Sequence, residues 1–219
     1  LWFWVEKLLE KKRRIKQGAM QELLRPKEGW KLRKLRDIGE IITGGTPSTS
    51  IKDYWNGKIP WVTPTDINEK KDIYCTERGI TQKGLSVIRK VPKNSLLVTC
   101  IASIGKNVIL RSEGACNQQI NAIVPNPDFE VEFLYYLIED NKNELLSNSG
   151  ITATLILSKK KFSELQFSFP ETKAKQTAIA AILSDMDSEI EQLEKQLAKY
   201  RQLKTGMMQE LLTGKKRLV

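Results

Sequence analysis

The chain has 219 residues, enough for one medium domain with an appendage or for two small units, and its 40% apolar content is ordinary for a globular protein. Lys and Arg total 36 against 26 Asp and Glu, so the net charge is 36 − 26 = +10, which points to an anionic partner. Histidine is absent, removing the commonest general base and metal ligand, and three scattered cysteines without a CxxC pair argue against a zinc site or a disulfide framework.

The opening Leu1-Trp2-Phe3-Trp4-Val5 is apolar but far short of the roughly 20 residues that cross a bilayer, and it lacks the basic leader of a signal peptide. No membrane association is expected, and unpaired Cys75, Cys100 and Cys116 fit a cytoplasmic protein. The first 25 residues carry one copy of a long-period repeat. Residues 18–24, GAMQELL, return at 206–212 as GMMQELL, and a shift of 188 aligns 12 identities in 19 positions over residues 6–24. A general Glu/Lys/Leu bias does not reproduce that core, so two related helices are predicted to bracket whatever lies between and to form a helix pair.

Residues 26–170 differ in kind. Short β-rich runs at 41–42, 59–62, 95–101, 107–110 and 120–124 are broken by Gly, Pro, Asn and Ser. A helix is predicted over Val131–Leu146, from Phe133, Leu134, Leu137, Ile138 and Leu145. This pattern reads as one mixed α+β domain between a short N-terminal helix and a long C-terminal helix of coiled-coil type (171–219). In that last segment Ile179, Ile182, Met186, Ile190, Leu193, Leu197, Tyr200, Leu203, Met207 and Leu211 recur every three or four residues on one stripe. About 38 helical residues span about 57 Å, and a single apolar stripe of that length is expected to pack against another helix. Pro170 precedes it and Gly214 follows as a stop signal. Its cations, Lys195, Lys199, Arg201, Lys204, Lys215, Lys216 and Arg217, suit a solvated face or a partner protein better than DNA.

No catalytic centre is legible. There is no glycine-rich cofactor loop after a first strand, no phosphate loop, and no Ser/His or Cys/His pairing. Asn126-Pro127-Asp128-Phe129 lacks the second proline of an amino-methylating motif and reads as a loop. Asp66, Glu69 and Lys71 resemble a nuclease cluster only in spacing and read as solvated loop charges. No metal site is expected. Loops rich in small, polar and basic residues suit DNA instead. Gly44 and Gly45 allow close backbone approach to phosphate, and the Thr43 and Thr46 hydroxyls can donate to it. Lys52, Tyr54, Lys58, Thr63, Thr65, Arg78, Thr81, Gln82, Lys83, Lys106, Asn117 and Gln118 follow. Asn and Gln pair with adenine, Arg and Lys with guanine. Asn117-Gln118-Gln119 equally suits internal ties of a turn, and Trp55 and Trp61 suit the core.

Four stretches together resemble the specificity (S) subunit of type I restriction–modification systems. They are Gly29-Trp30-Lys31 with Leu35, Ile38 and residues 41–48 (IITGGTPS); residues 54–67 (YWNGKIPWVTPTDI); Asn117-Gln118-Gln119; and Gln176-Thr177-Ala178-Ile179-Ala180 with Leu183, Asp187, Ile190, Leu193 and Glu194, ending in residues 204–214 (KTGMMQELLTG). The resemblance covers most of the chain. It implies a non-catalytic subunit in which target recognition domains each read half of a split DNA target. It also implies long antiparallel helices that set half-site spacing and dock a modification subunit. That partner, not this chain, would hold S-adenosylmethionine and methylate adenine, and a restriction/translocase subunit would act where present. The departure is one recognition domain where the full pattern has two. Either a half-size subunit, expected to form a homodimer reading a palindromic split site, or the second half of a longer subunit accounts for it. A nuclease or methyltransferase with an unrecognised site is the alternative.

Overall fold

The computed structural model describes residues 2–68, 70–150 and 155–210, with the backbone of 211 and 212. Glu69, the Leu211 side chain, Gly214 and the tail cations Lys215, Lys216 and Arg217 lie outside the described residues. The elements in chain order are α1 (Trp2–Leu24), β1 (Lys31–Lys34), α2 (Leu35–Ile38), β2 (Gly39–Thr43), β3 (Trp55–Val62), β4 (Asp72–Ile73), β5 (Gly79–Ile80) and α3 (Gln82–Ser86). Then come β6 (Ser95–Thr99), β7 (Asn107–Leu110), β8 (Ala115–Cys116), β9 (Ile120–Pro125), α4 (Val131–Asp140), α5 (Lys142–Ser147), α6 (Lys159–Glu164), β10 (Gln166–Phe169) and α7 (Lys173–Leu212). The mixed α+β class expected from the sequence is what the fold shows, with a long C-terminal helix. The chain divides into two compact units, residues 24–180 and residues 1–23 with 181–219.

The unit of residues 24–180 is built on a five-stranded sheet of order β2-β9-β6-β7-β4, antiparallel except for the β7–β4 edge. A three-stranded sheet, β5-β3-β8, and a β1–β10 ribbon complete it. The central strands are apolar on both faces. Leu96, Leu97, Val98, Ile109, Leu110, Ile120 and Ile123 are all buried, and such β-branched and aliphatic runs leave no solvent face to alternate with. α4 is apolar around most of its circumference: Val131 and Phe133 through Ile138 are buried, as a helix enclosed in a core must be. The predicted single helix over Val131–Leu146 is two. Asn141, φ −106° and ψ 24°, ends α4, its side chain donating to the Leu137 carbonyl at 2.8 Å. That local bond competes with helix continuation, although the apolar spacing runs on to Leu145.

The start of α7 belongs to this unit. Gln176, buried, accepts from the Glu130 backbone N–H at 2.9 Å, satisfying the entry to α4. Across β4, β7 and α4, Arg111 donates to Asp72 (2.5 Å), Asn94 (3.1 Å) and Glu132, and Lys71 pairs with Glu132 at 2.7 Å. Burial pushes the Glu132 carboxyl upward in pKa, but Lys71 and Arg111 outweigh it and hold it below the ordinary range. Cys100 and Cys116 are buried free thiols, and burial pushes them up to about 11 and about 12, so both are protonated and inert near neutrality. Cys75 is exposed.

In the other unit α1 and the distal part of α7 pair, as the repeat predicts, and they run antiparallel, as the resemblance implies. Lys16 pairs with Asp187, Lys12 with Glu189 at 2.6 Å, Arg13 with Glu194 at 2.6 Å, and Arg201 with Glu6 at 2.7 Å. Leu9, Met20, Leu183 and Leu197 are its buried apolar side chains. The single stripe expected along α7 is two stripes. One carries Leu183, Asp187, Ile190, Glu194, Leu197 and Arg201 and faces α1. The other carries Ile182, Met186, Leu193, Tyr200, Leu203 and Met207, of which Ile182 (45%), Leu203 (52%) and Met207 (65%) are exposed. Ile179 is half-buried in the first-described unit. Residues three and four apart share a face of a helix, so both rows satisfy the same spacing test. No described helix is long and apolar enough to cross a membrane.

Candidate nucleic-acid interface

The strand order brings the predicted loops together. Antiparallel pairing sets the end of β2 (Thr43) and the end of β6 (Thr99) beside the start of β9 (Asn121, Ile120). Parallel pairing sets the end of β3 (Val62) beside the end of β8 (Cys116). The segments 44–51, 63–66, 100–106 and 117–119 therefore leave the sheets at one end. This is a rigid platform carrying loops, the usual arrangement for a binding surface.

The Gly-Gly-Thr-Pro loop is held from several sides. Gly44 and Gly45 donate backbone N–H groups to the carbonyls of Ile120 (3.1 Å) and Cys116 (2.8 Å). A Cβ on Gly44 would lie 2.2 Å from both the Asn117 and Cys116 oxygens, whereas one on Gly45 would meet nothing closer than 3.7 Å. Glycine at Gly44 is thus a requirement of close backbone approach. Arg89 donates to the Thr43 carbonyl at 2.9 Å, and the Thr43 hydroxyl donates to Asn121 at 2.7 Å. Thr46 donates to Gln118 at 2.6 Å, joining this loop to the next. Two core tryptophans complete the hold: the Trp55 indole donates to the Ser48 carbonyl at 3.1 Å and the Trp61 indole to the Gly45 carbonyl at 2.9 Å. The sequence placed both rings in the core, which is correct, but gave no sign that their N–H groups fix the loop.

Asn117 is buried and spends its side chain on Gln119, donating from Nδ2 (3.1 Å) and accepting from the Gln119 N–H (3.0 Å). It shapes the turn, and Gln118 is the exposed amide. Thr63 and Thr65 lie in the neighbouring turn, their hydroxyls 2.8 Å apart. Asp66 is fully engaged there: one oxygen accepts from the Thr63 N–H (2.8 Å) and hydroxyl (2.6 Å), the other from the Glu77 N–H (3.1 Å). With Lys71 paired to Glu132 instead, Asp66 and Lys71 form no nuclease-like centre. The Asp66–Glu77 bond ties segment 74–78 to the platform, and Arg78 there stacks on Trp55 and Trp61, its Cζ 4.1 and 5.2 Å from the ring centroids.

Lys106 is exposed on the 100–106 segment, which joins the 117–119 loop through the Cys100 N–H donating to the Gln119 carbonyl at 2.8 Å. The remaining predicted residues gather at a flanking corner. Lys52 and Lys58 are exposed and Tyr54 half-buried, and Thr81 donates its N–H to the Tyr54 carbonyl at 3.0 Å and its hydroxyl to the Asp53 carbonyl at 2.6 Å. Lys83 pairs with Asp53 at 3.1 Å with both side chains mostly exposed, so its charge is partly spent. No group of three or more Cys, Asp or Glu able to hold a metal occurs among the described residues. The assembled surface offers backbone amides, hydroxyls, an amide and cations, the chemistry of phosphate and base-edge contacts.

Residues 27–200 match the family of the type I restriction modification DNA specificity domain. Among curated relatives, the type I restriction enzyme MjaIX specificity subunit of Methanocaldococcus jannaschii is 37% identical over 177 residues, covering 78% of this chain and 40% of that protein. The HindI specificity subunit of Haemophilus influenzae is 33% identical over 147 residues, covering 65% of this chain and 32% of that protein. The crystal structure of the HsdS subunit from Thermoanaerobacter tengcongensis has the same fold, with a TM-score of 0.70 at 16% identity over 95% of this chain and 52% of that one. The chain thus spans about half the length of each of these relatives, or less.

Proposed function

Since the chain belongs to the type I restriction–modification DNA specificity domain family, we propose that it is a non-catalytic, sequence-specific DNA-recognition subunit that reads one half of a split target. The observation that carries this reading is the convergence of four loops at one end of the sheets, braced from below by two indole N–H groups. Loops held this firmly lose little entropy on binding, which favours selective recognition over mere charge attraction. The net charge of +10 supplies the sequence-independent part of the affinity.

The helix unit has the complementary role of association. Its outer α7 stripe, with Leu203 and Met207 exposed, is the face on which a second copy or the modification subunit packs. S-adenosylmethionine would be held by that modification subunit, which would reach an adenine flipped out of the stack; a restriction/translocase subunit would join where one exists. In a homodimer two recognition domains would be related by twofold symmetry and the target would be palindromic. Buried protonated thiols suit a reducing, cytoplasmic setting.

Fluorescence anisotropy of the purified chain with duplex DNA tests the reading. Binding should weaken steeply with salt yet discriminate between duplexes of equal length. Incubation with S-adenosylmethionine and DNA should leave the DNA unmethylated. Salt-insensitive or sequence-blind binding, or methylation by the chain alone, would overturn it.

A further inference from the structure

We propose that Arg78 is a base-reading residue that takes guanine, its guanidinium aimed by the Trp55–Trp61 ring pair. The two rings meet edge to face, centroids 5.0 Å apart and 87° between planes. Arg78 is exposed, yet its Cζ sits 4.1 Å from one ring centroid and 5.2 Å from the other. An aromatic face attracts a guanidinium and restrains its plane. Each indole N–H is already spent on the Gly45–Ser48 loop, so the same rings that hold the loop also hold the cation beside it.

The backbone under Arg78 is fixed as well. Its carbonyl accepts from the Thr76 hydroxyl at 2.7 Å, that hydroxyl accepts from the Trp61 N–H at 3.1 Å, and Gly79 pairs with Pro60 in the β3–β5 ladder. Among the described residues Arg78 makes no ion pair. The nearby Asp66 carboxylate is engaged by Thr63 and Glu77. The result is a planar, permanently charged group with unspent donors and little freedom of direction. Phosphate attraction needs only a charge, which a flexible lysine supplies. A plane held in place matches the paired O6 and N7 acceptors that guanine shows in the major groove. The assignment rests on the unit of residues 24–180 being the DNA-reading part.

The test is selection of binding sites from a library of duplexes with a randomised centre, by the full chain as wild type, Arg78→Ala and Arg78→Lys, with thermal unfolding of each recorded alongside. The wild-type motif should contain a fixed G·C pair that becomes degenerate in Arg78→Ala and loses most of its preference in Arg78→Lys, whose ammonium lacks the planar fork held by the rings. Affinity for the wild-type site should fall about tenfold to a hundredfold, while duplexes altered at that pair bind all three proteins alike. Arg78→Lys keeps a cation over the rings, so it gives the answer even if Arg78→Ala loses its fold. Uniform weakening across sequences that Arg78→Lys restores would make Arg78 a phosphate contact and overturn the assignment. An unchanged motif would make it only a lid over the rings and overturn it too. If the wild type selects no motif, DNA reading itself fails and this assignment with it.

Discussion

The unit of residues 24–180 buries Leu96, Leu97, Ile109, Ile120 and Phe133 completely, whereas the helix unit buries only Leu9, Met20, Leu183 and Leu197 among its described apolar side chains. The first is held by a core; the second is laced by exposed ion pairs between α1 and α7 and leaves Ile182, Leu203 and Met207 in water. Burial of one large side chain is worth about 1.5–3 kcal/mol, an exposed ion pair about 0–1 kcal/mol. One unit is therefore held by its own core and carries the loops on it, while the other leaves part of an apolar face uncovered.

The largest expected effect breaks the self-sufficient unit. Phe133→Ala should cost about 3–5 kcal/mol, measured by urea unfolding, whereas Leu203→Ala should stay within about 0.5 kcal/mol in a dilute, unassociated sample. Equal costs would erase the contrast between the units. Next comes the loop bracing. Gly44→Ala must displace the Asn117 and Cys116 carbonyls and should cost about 1–3 kcal/mol, as overpacking does, with a parallel loss of DNA affinity. Gly45→Ala has room within the fold and should be near neutral in stability. If the two behave alike, the loop is not fixed as described.

Acid sharpens the comparison further. Lys71 and Arg111 hold the Glu132 carboxyl below its ordinary value of 4.5 against the opposing pull of burial. A lowered folded pKa contributes stability that is fully present above the ordinary value and is lost as pH falls through the folded one. Thermal unfolding should show that loss below pH 4.5, and Glu132→Gln should flatten it. Burial raises Asp140 and Glu144, so those two act with the opposite sign, and the Glu132 comparison isolates the network. The smallest effect is on the helix unit. Lys12→Ala should remove only about 0.2–1 kcal/mol of α1–α7 pairing, measured by hydrogen exchange of helix amides, and that difference should fade at high salt.

Much of this was legible from the residues. β2, β6, β7 and β9 fall on the predicted apolar runs, because strands buried on both faces need no alternation. The helix pair was legible because the GxMQELL repeat is too specific for chance. Three things were not. Asn141 ends α4 through one side-chain bond that the continuing apolar spacing conceals. The two stripes of α7 share one periodicity, so spacing alone assigned Ile182 to the packed face and gave no place to Leu183. The bracing of the site depends on bonds from Trp55 and Trp61 to carbonyls far along the chain, and the choice between Asn117 as turn former and Gln118 as exposed amide depends on which of them the sheet buries.

The division of labour is tested most directly by light scattering of the chain on a sizing column, as wild type and as the double variant Leu203→Glu, Met207→Glu. The account expects a wild-type dimer of 2 × 25.0 kDa, 50.0 kDa, and a variant that elutes as a folded monomer. A variant that keeps the dimer mass would contradict the claim that the outer stripe of α7 is the associating face, and a wild-type chain that stays monomeric at every concentration would contradict the homodimer.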